Sequence, residues 1–115
     1  MKDRVQLLID ILFDLTARED EREDAIMYLG ESKDLRALTA LLKIASDPNN
    51  DDLLVGDCAE SIGELCVSMS CFEAESFKQM VPFAQKTVFR IIMARNPNLI
   101  KQPLRDELAK KFGEV

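Results

Sequence analysis

The sequence predicts an all-α protein of about seven antiparallel helices, and three observations carry that expectation. Nearly every long segment repeats its apolar residues at helical spacing, no run alternates apolar and polar residues between hairpin turns, and the connections are two to six residues long. At 115 residues, 47% apolar and 31% charged, the chain has the size of one domain and globular proportions. Residues 1–115 are therefore read as a single domain.

A first helix, over about residues 2–15, places Val5, Leu8, Ile9 and Leu12 on one face. Its apolar arc is wide, with Leu7 and Ile11 beside a stripe of Asp3, Asp10 and Asp14, so it calls for cover on two sides. Thr16 and Glu19 have capping-box spacing for a second helix that ends near Gly30. Asp34 caps a third, with Leu35, Leu38, Leu41, Leu42 and Ala45 as its core face, and Asp47-Pro48-Asn49-Asn50 stops it. The fourth starts at Asp51 or Asp52 and turns Leu54, Cys58, Ile62, Leu65, Cys66 and Met69 inward. Ser70 and Glu73 have capping-box spacing for a fifth. Pro82 opens a sixth at its first position, with Phe83, Ala84, Val88, Ile91 and Ile92 inward as far as Asn96-Pro97. A last helix begins around Pro103 with Leu104, Leu108 and Phe112.

Composition narrows the chemistry. Histidine is absent, which removes His-based triads, His-bearing metal sites and the commonest neutral-pH general base. Cys58, Cys66 and Cys71 fit neither a disulfide framework nor zinc-ligand spacing; Cys58 and Cys66 fall on a core face as packing residues, Cys71 is read the same way, and reduced thiols imply a cytoplasmic setting. The apolar run Leu7 to Phe13 is interrupted by Asp10, so neither a signal peptide nor a membrane span is expected. The net charge of −6 is unevenly spread: residues 1–76 carry seven Lys/Arg and eighteen Asp/Glu, residues 77–115 eight and three. An acidic surface of that extent repels nucleic acid and anionic membrane and favours a basic protein partner. The basic end, Lys101, Arg105, Lys110 and Lys111 with Lys86, Arg90 and Arg95, balances it; with one tyrosine and no tryptophan, stacking platforms for single strands are few.

Asp24-Ala25-Ile26-Met27-Tyr28-Leu29-Gly30-Glu31 aligns with Asp57-Cys58-Ala59-Glu60-Ser61-Ile62-Gly63-Glu64 at an offset of 33 residues. Small residues on one face and a glycine near the end allow a neighbouring helix to approach closely. The unit resembles a HEAT-type repeat, in which a helix ending in Leu-Gly is followed by a short Asp-containing turn and a second helix. The resemblance covers about residues 19–66; residues 90–98 lack the Gly-Glu pair, so 73–115 are expected to pack as a C-terminal helical cap. It implies a short right-handed HEAT-like solenoid that binds partners on an extended surface. In size, acidity and helical make-up the chain is also similar to the immunity proteins of bacterial contact-dependent growth inhibition.

On helical projection, Asp57, Glu60 and Glu64 fall within roughly 60° of one another, and Asp20, Asp24 and Glu31 within roughly 40°. Stacked repeats would set Asp24 beside Asp57 and Glu31 beside Glu64, making an acidic ladder. It reads either as a solvated face or as a docking surface for a partner's Lys and Arg, and repulsion between unpaired carboxylates favours docking. Tyr28 projects beside Asp24 and Glu21, as an interface residue or a half-buried repeat junction. The first helix, with Asp10 and Asp14, is the other candidate contact. Asp47 to Asp52 offers oxygens at the first, third and fifth positions of a calcium loop, but Asp52 and Cys58 stand where glycine and a bidentate glutamate are needed, so it is read as a turn.

The expected function is thus non-catalytic protein binding without cofactor or metal: an immunity protein, monomeric within a heterodimer, that covers a basic toxin domain such as a ribonuclease. The alternatives are a HEAT-type scaffold joining two proteins, and a HEAT protein resembling bilin lyases, which would need a ligand pocket.

Overall fold

Short polar caps and apolar stripes of period 3.6 leave this chain little but helix to form. In a computed structural model, which describes residues 1–113, seven α-helices and one 3-10 turn follow one another and no strand occurs among the described residues. The last two positions of the expected cap, 114 and 115, lie outside the described residues. The helices are α1 (Arg4–Phe13), α2 (Glu19–Glu31), α3 (Leu35–Ala45), α4 (Asp52–Ser68), α5 (Ala74–Gln79), α6 (Pro82–Arg95) and α7 (Leu104–Phe112), with the 3-10 turn at Pro97–Leu99 between the last two.

Several boundaries are set by the residues the sequence singled out. The Asp34 carboxylate accepts from the Arg36 N–H at 2.8 Å, and Pro82 stands at the first position of α6, where its missing N–H is no loss. Others differ. Thr16 does not cap α2: its N–H and hydroxyl both donate to Asp14, and the capping acid is Glu21, whose carboxylate accepts from the Arg18 N–H at 3.1 Å. Ser70 does not open α5. It ends α4 at φ 51, with the Cys71 N–H returning to the Cys66 carbonyl at 3.0 Å and the Ser70 N–H to that of Val67 at 3.2 Å, a Schellman closure.

The 17-residue α4 is the axis of the fold. Val55, Cys58, Ala59, Ser61, Ile62, Gly63, Leu65 and Cys66 bury somewhat more than half of its circumference against α2, α3 and α6, leaving the side of Glu60 and Glu64 open. One continuous core runs from Leu12 through Ile26, Leu41, Ile62 and Phe89 to Leu108. The helices touch at small residues. A Cβ on Gly30 would meet Ser61 of α4, and one on Gly63 would lie 2.8 Å from Ile91 of α6, so both repeated glycines mark the close approach of the next long helix. The buried Gln85 amide donates to the Met80 and Lys78 carbonyls, and the Val81 N–H donates to Ala45 at 2.9 Å, fastening the α5–α6 turn to the end of α3.

One face is rotated from expectation, and another, with its expected residues inward, is covered less than expected. In α3 the buried stripe is Ala37, Ala40, Leu41, Ile44 and Ala45, while Leu35 is 62% exposed, because small side chains let α4 come close and push the larger leucine to the edge. α1 packs on α2 and α3 along one side only, leaving Leu7 exposed where cover on two sides was expected.

Candidate functional site

The acidic residues of α2 and α4 meet across a groove of about 630 Å³. Asp24, Met27 and Glu31 recur on α2 at intervals of three and four residues, as Asp57, Glu60 or Ser61, and Glu64 do on α4, so each helix turns one stripe to the same side. Ile26, Gly30 and Ser61 form the floor, where the Ser61 hydroxyl donates to the Ile26 carbonyl at 2.9 Å. Among the described residues Lys33 is the one cation in the lining. Five of the expected residues, Asp24, Glu31, Asp57, Glu60 and Glu64, are thereby brought together.

A sixth acid, Glu23, also lines the groove and was absent from the sequence reading. The signal was present in the spacing, since Glu23 lies four residues before Met27 and seven before the packing glycine Gly30. Its carboxyl is raised above the usual glutamate range by desolvation, and then by Asp57, Glu19, Asp20 and Asp24. Glu64 differs from its neighbours in having a partner, the Arg95 guanidinium of α6. Asp57 and Glu60 form no ion pair among the described residues.

The other expected residues lie elsewhere and are engaged within the chain. Asp10 holds the Lys2 ammonium at 2.6 Å and accepts from Gln6, and these bonds lower its carboxyl below the ordinary aspartate value. Asp14 is lowered by the Thr16 hydroxyl and N–H it ties into a turn. Asp20 faces Arg18 at 3.2 Å. Tyr28 turns toward α1, where the Arg4 guanidinium sits 5.0 Å from its ring centroid; Val5, Leu8, Glu31 and Ser32 complete that small pocket, so only Glu31 belongs both to it and to the acidic groove.

The remaining chemistry-bearing groups have structural partners. Burial pushes the thiols of Cys58 and Cys66 up to about 12, which keeps them protonated among core side chains. In the Asp47–Asn50 turn, Asp47 accepts from the Asn49 N–H and Asn50 donates to the Ile44 carbonyl. No group of three or more Cys, Asp or Glu side chains is placed to hold a metal ion among the described residues.

The fold and groove together define a helical protein with an acidic cleft between two matched helices. Compared with protein-family models, curated proteins and solved structures, the chain matches none of them.

Proposed function

We propose that this protein is a non-catalytic binding module that neutralises a basic partner by laying the α2–α4 carboxylates over the partner's cationic surface. The observation that carries the reading is the convergence of Glu23, Asp24, Glu31, Asp57, Glu60 and Glu64 on one groove. Glu64 is paired with Arg95, but the other five carboxylates form no ion pair among the described residues and repel one another; a partner's Lys and Arg relieve that repulsion while long-range attraction speeds encounter. A basic surface with deep need of such cover is the substrate site of an enzyme that binds nucleic acid, where carboxylates stand in for phosphates. The partner is then a toxin domain such as a ribonuclease, and this chain its immunity protein, acting as a monomer in a cytoplasmic heterodimer.

The repeat reading supports an extended docking face. Gly30 and Gly63, 33 residues apart, each admit the next long helix, and α4 lies between α2 and α6, as in a short right-handed HEAT-like stack with a helical cap. A scaffold role is the second reading, favoured by the separate exposure of Lys101, Lys110 and Lys111 at and before α7. The bilin-lyase reading finds less support, because the apolar cavity between α3, α4 and α5 is about 320 Å³, too small for a linear tetrapyrrole.

Mixing the purified protein at low salt with a basic ribonuclease toxin domain, taken from a neighbouring gene where one is encoded there, tests the proposal. The expected result is a one-to-one complex and loss of toxin activity; full activity with no complex would overturn it. Recovery of two partners in one salt-sensitive ternary complex, with neither inhibited, would favour the scaffold.

A further inference from the structure

The cavity between α3, α4 and α5 is lined by Leu38, Leu42, Ile62, Phe72, Phe77 and Val88, which make it apolar on three sides. Its walls are held by the backbone. The α5–α6 turn is pinned to α3 through Val81 and Ala45, α4 closes on itself through Cys71 and Cys66, and Phe72 and Phe77 pack at 5.3 Å between ring centroids.

Among the described residues the lining contains one charged side chain, Glu73, exposed at the rim, and no Lys or Arg. The Ser76 hydroxyl donates to the Glu73 carboxylate, and Glu73 forms no ion pair among the described residues. An apolar recess edged by one unneutralised carboxylate selects a guest with an apolar body and a cationic end, since a charge-assisted bond to the carboxylate is stronger than a neutral one. The volume of about 320 Å³ lies at the small end of ligand cavities and holds about ten non-hydrogen atoms.

We propose that this cavity binds a small organic amine, an aromatic or branched aliphatic body carrying a terminal ammonium group, with the body among Leu42, Ile62 and Phe77 and the ammonium on Glu73. The site is distinct from the α2–α4 groove and independent of the partner proposed for it.

Methyl-resolved NMR titration of the full chain with 2-phenylethylamine, 2-phenylethanol and 3-phenylpropionate tests it. The amine should shift the Leu42, Ile62 and Val88 methyl signals and bind about two- to fivefold more tightly than the alcohol, since Glu73 is exposed at the rim, with the carboxylate weakest. Glu73→Gln should bring the amine down to the alcohol's affinity and leave the alcohol's own affinity unchanged, which a general loss of folding would not do. Thr39→Trp, a surface change at the cavity mouth, should weaken all three. The proposal is overturned if the amine shifts only groove signals such as those of Met27, if the carboxylate binds as tightly as the amine, or if Glu73→Gln leaves their order unchanged.

Discussion

Ser61 of α4 stands over Gly30 of α2, its hydroxyl oxygen 2.6 Å and its Cβ 2.8 Å from where a Cβ on residue 30 would sit. The same hydroxyl reaches the Ile26 carbonyl one turn earlier in α2. Glycine and hydrogen bond depend on one another, because the hydroxyl reaches that carbonyl only where the two helices come this close. That contact sets the width of the acidic groove above it.

Gly30→Ala should therefore destabilise the fold even though alanine is the better helix former. The propensity gain is about 0.5–1 kcal/mol and the cost of forcing the helices apart about 1–3 kcal/mol, so a net loss is expected. Gly63→Ala should lose less, since the half-buried Ile91 side chain gives more readily than the Ser61 backbone. Gly56→Ala should gain about 0.5–1 kcal/mol, because its Cβ would meet only Phe83 at 3.9 Å. Denaturant midpoints of the three variants check the order; a Gly30→Ala protein as stable as Gly56→Ala would refute the close contact.

Lys33 and Ser70 both have φ 51, the left-handed conformation that follows a helix and favours glycine. Ser70→Gly should raise stability by about 0.5–1 kcal/mol, the relief of backbone strain exceeding the added freedom of the unfolded chain. Lys33→Gly should gain less, since it also removes the one cation lining the groove. Thermal unfolding at neutral pH reads both, and destabilisation by Ser70→Gly would contradict the left-handed geometry.

The helices and most of the groove were legible in the sequence because both rest on periodicity. Apolar stripes of period 3.6 mark the elements, and the 33-residue offset pairs Asp24 with Asp57 and Glu31 with Glu64. Side-chain size misled where helices pack closely: in α3 the leucines look like the core, yet Ala37 and Ala40 are buried and Leu35 is not. Local spacing also fitted Thr16 and Ser70 to capping boxes that compete with other local bonds. Contacts between distant elements, Glu64 with Arg95 and Tyr28 with Arg4, are invisible to the projection of a single helix.

Acid should act on stability with opposite signs at two places. Asp3 and Asp34 are lowered below 3.8, chiefly by hydrogen bonds from Arg36, so their contribution is complete above that value and is lost as pH falls through their folded range. Glu23 is raised above 4.5, so its charged form opposes folding, and that penalty disappears on protonation. Glu23→Gln should therefore stabilise at pH 7, with the advantage lost as pH falls through Glu23's raised folded range and gone below 4.5. Asp3→Asn should destabilise at pH 7 and be neutral once both states are protonated. Unfolding curves across this range give the two signs directly, and an advantage of Glu23→Gln that grows on acidification would exclude the proposed cause.

Partner binding should follow the groove and not the total acidity of the chain. Glu60 is exposed and forms no ion pair among the described residues, so Glu60→Lys changes the groove's charge without breaking an internal contact. Its affinity for a basic partner should fall about tenfold or more at low salt, and the dependence on ionic strength should weaken. Folding should hold or improve slightly, because the change relieves repulsion with neighbouring acids. Asp10→Asn alters a carboxylate held by Lys2 outside the groove, and should leave affinity within about twofold. Glu64→Lys is the poorer probe, since it also breaks the bond to Arg95. Calorimetric titration of Glu60→Lys and Asp10→Asn against one partner distinguishes the surfaces: equal losses would point to diffuse charge, and a larger loss for Asp10→Asn would move the docking face to α1.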